Sequence, residues 1–239
     1  METYSPYCGT PPLPADLWGR WTFEPGLMIG LVAALAAGLW LVAPAQRARF
    51  VIGWALVALL FTSPLCALSM ALFSARVAQH VLLTLVAAPL LAAALPRMAP
   101  PPAWAALGFA FLFWVWHAPG PYAATLTADG TYWAMHLSLL AAAIVFWASL
   151  RAHVATNPFA CALAALFTSA QMSILSALLL FSANAWHPFH DLTAAPWGLT
   201  ALADQQLAGA VMWVAGGLVF LAAIAGLVAR FLRENTRSA

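Results

Sequence analysis

FSARVAQHVLLTLVAAPLL, residues 73–91, decides the fold. It reads as the start of a membrane span, yet it carries Gln79 and His80 just inside that start. A titratable ring in such a run must be hydrated, hydrogen-bonded or ligated. The rest of the chain has the same character. Of its 239 residues, 64% are hydrophobic and 7% are charged, and the mean hydropathy is +0.89. An ordinary soluble domain is about 25% charged. No soluble fold of this size could hide so much apolar surface, so the class is an all-α integral membrane protein with the lipid bilayer as its solvent. The net charge of +2 is too small to suggest nucleic acid.

A helix needs about 20 apolar residues to cross the hydrocarbon core. Segments at roughly 26–43, 50–71, 77–95, 102–118, 131–150, 158–182 and 204–229 meet that need. They predict a seven-transmembrane helix bundle forming a single membrane domain over residues 1–239. Proline marks most boundaries, where the lost N–H had no helical partner. Pro64 and Pro89 fall inside spans, where kinks are expected, with neighbouring helices satisfying the freed carbonyls. The first 24 residues have no basic stretch ahead of an apolar run, so the first span is expected to act as its own insertion signal. Three cysteines, Cys8, Cys66 and Cys161, imply no disulfide framework, because Cys66 and Cys161 lie in apolar segments.

Charge sets the orientation. Arg47, Arg49, Arg97, Arg151, Arg230, Arg233 and Arg237 follow alternate spans and fall on one side. The other side holds Glu2, Asp16, Glu24, Asp129, Asp191 and Asp204, with Arg20 and Arg76 as its basic residues. The positive-inside rule makes the arginine-rich side cytoplasmic, with the N-terminus periplasmic and the C-terminus cytoplasmic.

On that topology the histidines sort into one outer layer. His80 is near the outer start of the third span, His117 at the outer end of the fourth, and His136 about one turn into the fifth. His187 and His190 lie in the outer loop after the sixth, and Asp204 opens the seventh. Only His153 is on the cytoplasmic side. His80, His136 and Asp204 stand on separate helices at similar depth, and bundles build metal sites by such convergence. Imidazole suits copper, zinc and iron. Met135 precedes His136, and Met212 lies two turns below Asp204 on roughly the same face. Thioether with imidazole is a soft set that favours Cu(I). Each residue also has a plainer reading. A single intramembrane histidine can be a buried hydrogen-bonding group, methionine packs well in apolar cores, and His187 and His190 suit a solvated loop. Ser169, Ser173 and Ser176, with Gly209, Gly216 and Gly217, read as close helix packing. No phosphate loop, nucleophile elbow, HExxH, CxxCH or Cys-x-x-Cys occurs, so nothing suggests a hydrolase, an ATP-driven pump or a covalent haem protein.

Several stretches together are familiar. QHVLLTLVAAPLLAAALP (79–96), FWVWHAPGPYAATL (113–126), the His136 segment ending in FW (146–147) and DQQLAGAVMWVAGG (204–217) resemble the multi-spanning CtaG family of cytochrome c oxidase assembly factors. The likeness runs from about residue 20 to 220. It implies a seven-span, non-enzymatic protein of the bacterial inner (cytoplasmic) membrane that serves haem–copper oxidase biogenesis and handles copper. By resemblance, His80, His117, His136 and Asp204 occupy the family's characteristic polar positions. This chain departs from relatives where it reads Arg76-Val77-Ala78-Gln79-His80, Met135-His136 and His187-Pro188-Phe189-His190. The expected activity is copper binding on the periplasmic side and assistance of metal-centre insertion into an oxidase subunit. The metal would be Cu(I), with no haem. Partners would be haem–copper oxidase subunits and periplasmic copper chaperones. His80, His117, His136, Asp204, Met135, Met212, His187 and His190 are the candidate metal residues. The alternative is a metal-free structural subunit or scaffold of an oxidase-like membrane complex.

Overall fold

Proline opens five of the eleven α-helices among the described residues. A computed structural model of the chain describes residues 6–95 and 100–237, with backbone alone for residues 227 and 230–237. Glu2, Pro96 and Arg97 lie outside the described residues. Helix α1 spans Pro25–Leu41 and α2 spans Arg47–Thr62. Helix α3 is Pro64–Ala71 and α4 is Phe73–Leu82. A π-helical turn, Leu83–Ala87, joins α4 to α5, Ala88–Ala94. Then come α6, Pro102–His117, and the short α7, Pro119–Thr125. The long α8, Asp129–His153, and α9, Pro158–Phe181, follow. A one-turn α10, His190–Thr193, precedes α11, Ala201–Arg237. Pro25, Pro64, Pro102, Pro119 and Pro158 each start a helix, where a missing N–H costs nothing. Glu24 caps α1 by accepting from the N–H groups of Gly26 and Leu27 at 2.7 Å.

Five helical segments are long and apolar enough to cross a membrane: Pro44–Thr62, Phe73–Ala94, Asp129–His153, Pro158–Phe181 and Ala201–Gly226. Pro25–Leu41 and Pro102–His117 are apolar but shorter. Large apolar side chains such as Ile29, Trp40, Phe111, Phe159, Val214 and Leu218 project outward. Such a surface belongs against lipid. Phe73–Ala94 is the central element: 67% of its most apolar stretch lies inside the fold, against 28% to 50% for the others. Helix α11 packs on α4 and α9, and α8 packs on α5 and α6. Gly209 lets α11 approach α9, since a Cβ there would lie 2.8 Å from the Ser176 carbonyl oxygen. Gly217 has open space instead, so of the expected packing glycines it is not one.

Apart from α11, which runs on to Arg237 past the expected end at 229, the helix boundaries match the sequence reading within a few residues, with one correction. The expected span 50–71 is two helices, broken at the extended Ser63 ahead of Pro64. Both interior prolines leave an orphan carbonyl, and a side chain from a neighbouring helix takes each one. Pro64 cannot donate to Leu60, and Gln79 Nε2 of α4 bonds the Leu60 oxygen at 2.8 Å. The π turn shifts the register so that Ala88 N–H bonds Leu83, leaving Thr84 facing Pro89. Trp147 Nε1 of α8 bonds the Thr84 oxygen at 2.9 Å.

Asp204 fixes the other end of the central element. Its carboxylate accepts from Phe73 N–H at 2.5 Å, from Ser74 N–H at 3.1 Å, and from the Ser74 hydroxyl. The group is fully buried. A carboxylate at a helix N-terminus satisfies orphan donors and complements the helix dipole.

Replacing Asp204 with Ala should therefore destabilise the protein by about 2–4 kcal/mol, since buried N–H groups lose their acceptor. Asp204→Asn should cost less. Chemical denaturation in detergent would measure both, and an unchanged midpoint for Asp204→Ala would remove the cap's role. A double-mutant cycle tests the proline pairing. Trp147→Phe alone should cost about 1–3 kcal/mol. Its cost should shrink in a Pro89→Ala background, where a backbone N–H returns to the helix. Equal costs in the two backgrounds would show that Trp147 acts only by packing.

Candidate functional site

The early start of α4 sets the depth of His80. Because Asp204 caps the helix at Phe73, His80 is seven residues, or about 10 Å, inside it. His136 is likewise seven residues into α8. Both are thus two turns in from the helix start rather than one. His117 ends α6. These rings from separate helices come together: the His80 centroid is 5.1 Å from that of His136 and 5.9 Å from that of His117. All are buried.

The hydrogen bonds fix two of the tautomers. His117 Nδ1 lies 2.7 Å from the Phe113 carbonyl oxygen, and His136 Nδ1 lies 2.9 Å from that of Tyr132. A carbonyl only accepts, so each Nδ1 carries the proton and each Nε2 presents a lone pair. The same N–H to carbonyl anchor is what orients metal-bound imidazoles. His136 Nε2 and both ring nitrogens of His80 are buried without a hydrogen-bond partner. A cavity of about 10 Å³ is lined by His80, His117, Met172 and Met212 together with Val77, Val81, Thr84, Phe113 and Leu139. It has room for about one water-sized species. His136 instead lines a larger apolar cavity of about 460 Å³ between α1, α2 and α8, whose polar end is Tyr7 and Glu24. There burial and the Glu24 carboxylate push the Tyr7 phenol up to about 12.

The remaining sequence candidates divide. Met212 lines the small cavity, and so does Met172. Met135 is fully buried but is not among the residues lining it. Asp204 does not reach the histidine rings as an orienting acceptor, because its carboxylate is engaged by Phe73 and Ser74. His187 and His190 are not in a solvated loop. They are buried against Phe73 and Tyr122, with His190 Nε2 2.8 Å from the Tyr122 hydroxyl and its Nδ1 3.1 Å from the Ala71 carbonyl oxygen. Burial, with His190 and His117 nearby, pushes His187 down to about 3. Burial pushes His190 down to about 4, against the opposing pull of Asp204. His187 lines a cavity of about 470 Å³ against α7, and its Nε2 has no hydrogen-bond partner. Among the described residues, no group of three or more His, Cys, Asp or Glu side chains is arranged to hold a metal ion.

Two features escaped the sequence reading. Arg76 is not an exposed loop cation. It is fully buried one turn before His80, with its guanidinium carbon 5.1 Å from the centre of the Tyr132 ring. Its Nη2 lies 3.5 Å from Met70 Sδ, while Nε and Nη1 have no hydrogen-bond partner. Cys8 and Cys66, expected to be unpaired, form a disulfide with Cα atoms 5.5 Å apart. The chain ahead of α1 folds back over the start of α3, and Thr22 N–H bonds the Thr62 carbonyl at 2.9 Å. Both cysteines lie on the side where α2 ends and α1 begins, which was the available signal.

The comparisons with known proteins give one result. A family model described as cytochrome c oxidase caa3 assembly factor matches residues 28–234. No curated protein and no solved structure matches. A match over that length covers α1 through most of α11, including every histidine of the cluster, and the chain belongs to the cytochrome c oxidase caa3 assembly factor family, Caa3_CtaG.

Proposed function

We propose that the protein is a non-enzymatic assembly factor that carries copper, as Cu(I), in the cavity between α4, α6, α8, α9 and α11. It would pass the ion to a haem–copper oxidase subunit, with a periplasmic copper chaperone as donor. In this reading the chain is one membrane domain of the bacterial inner membrane. The two shorter apolar helices complete seven spans, with the N-terminus periplasmic and the C-terminus cytoplasmic. The arginine asymmetry supports that orientation. The observation that carries the reading is the His80–His117–His136 cluster, with unpartnered ring nitrogens and two thioethers beside a cavity of single-ion size.

Charge supports the choice of ion. No carboxylate lines the small cavity, and Arg76 already places a positive charge next to it. The cost of burying an ion grows with the square of its charge, so a monovalent ion suits this site far better than a divalent one. Neutral imidazole and thioether are also the donors a soft monovalent ion prefers. A porphyrin could not enter about 10 Å³. His80, His117 and Met212, which line the cavity, would be the first ligands, and His136, whose ring lies 5.1 Å from that of His80 with an unpartnered Nε2, would complete the set from the adjoining side. Met135 would support His136 through packing. His187 would form the relay between the cavity against α7 and His117, and His190 would position it through Tyr122. Asp204 would act through the placement of α4.

The second reading is a metal-free scaffold, favoured by the lack of a preformed three-residue metal group among the described residues. Anaerobic Cu(I) loading of the detergent-purified chain separates the two. With the cysteine pair oxidised, the expected result is one copper per chain, lost in His80→Ala/His136→Ala and retained in His153→Ala. A folded wild-type protein that takes up no copper would leave the scaffold reading.

A further inference from the structure

The buried guanidinium of Arg76 lacks an anion. Its Nε and Nη1 are without hydrogen-bond partners, its Nη2 reaches only the Ser69 carbonyl at 3.4 Å and the Met70 sulfur, and no carboxylate pairs with it among the described residues. A lone buried cation is strongly disfavoured and calls for a counter-charge. Asp204 is committed to Phe73 and Ser74 at the start of the same helix, and the cysteine pair lies on the other side of Arg76's contacts, against Tyr132. The Tyr132 hydroxyl lies 3.3 Å from Cys8 Sγ and 3.6 Å from Cys66 Sγ, and the Arg76 guanidinium stacks on the same ring. Both cysteines are buried. Met70 stands one turn along α3 from Cys66 and also contacts Arg76.

We propose that Cys8 and Cys66 form a second, redox-gated Cu(I) site, closed as the disulfide and opened by reduction. The step balances as ordinary thiol–disulfide exchange. An external dithiol delivers two electrons and two protons, its own sulfurs join, and the Cys8–Cys66 bond becomes two thiols. Cu(I) then displaces both thiol protons without changing oxidation state. Two thiolates and one Cu(I) carry a net charge of −1, which complements Arg76. Thiolates select soft ions. A two-sulfur site with, among the described residues, no third Cys, His or carboxylate grouped around it suits Cu(I) over zinc, which takes four ligands. The site is distinct from the histidine cavity and takes from the proposed function only the identity of the ion.

The test is a titration of the purified full chain with Cu(I) against bathocuproine disulfonate under anaerobic conditions. Oxidised protein is compared with protein reduced by dithiothreitol and desalted. Reduced protein should bind one more copper than oxidised protein. The extra copper should vanish in Cys8→Ser and in Cys66→Ser. It should persist in Cys161→Ser and in His80→Ala/His136→Ala. Its X-ray absorption should show sulfur neighbours. Equal uptake by the two redox forms would overturn the site, as would extra copper that survives both cysteine variants or shows only nitrogen neighbours. The redox comparison uses the unmutated chain, so misfolding of a variant does not blunt it. The double histidine variant reports separately on the cavity: its uptake when oxidised tests the proposed function, and its gain on reduction tests this site.

Discussion

The carboxylate of Asp204 holds the N-terminus of α4, and α4 carries Arg76, Gln79 and His80. That single anchor joins α11 to the central element and sets where it begins. Two residues of α4 then act on the rest of the bundle. Gln79 closes the break that Pro64 makes in the second apolar segment. His80 stands beside rings from α6 and α8. If α4 began one turn later, as apolar content alone suggests, its first polar residues would lack acceptors and His80 would be near the helix end. The position of the histidine cluster is thus a consequence of a cap supplied by a distant part of the sequence.

The governing constraint is that lipid offers no hydrogen bonds. Every break in a buried helix needs a partner from inside the protein. Pro64 is answered by Gln79, Pro89 by Trp147, and the free end of α4 by Asp204. These are polar side chains in an otherwise apolar sequence, and the neighbouring helix supplies each one. Asp204, read from sequence as a member of the polar site, is, like Gln79, in the first instance structural. The histidines differ. His117 and His136 each use Nδ1 to fix the ring, while His136 Nε2 and both nitrogens of His80 have no hydrogen-bond partner. Helix stability does not require that arrangement, which is why these rings are the candidate site.

Helix positions were legible because apolar length and proline act locally. Helices α6 and α9 start at the prolines that mark them, and α1 and α8 fall within a few residues of expectation. The break at Ser63 was harder to see, since a proline inside an apolar run is compatible with a kink or with two helices. The convergence of His80, His117 and His136 was readable from their shared side of the topology. Helix rotation was not, so sequence could not separate Met212, which lines the cavity, from Met135, which does not. His187 and His190 looked solvated because their segment is polar, yet Phe73 and Tyr122 bury them. The cysteine pair was hidden by judging Cys66 from its apolar surroundings and not from its place near the end of α2.

Arg76 gives these parts a common electrostatic logic. A fixed buried positive charge beside the His80 and His136 rings raises the cost of any cation placed there, and the cost rises with charge. The cluster is therefore poorly suited to retaining a divalent metal permanently. In the proposed function, that charge favours a monovalent ion held by neutral donors over a divalent one. The same guanidinium favours an anionic assembly at the neighbouring sulfur pair, where Tyr132 touches both cysteines and shields them. On the two proposals together, one buried guanidinium disfavours a highly charged cation on one side of Tyr132 and offsets a net negative assembly on the other.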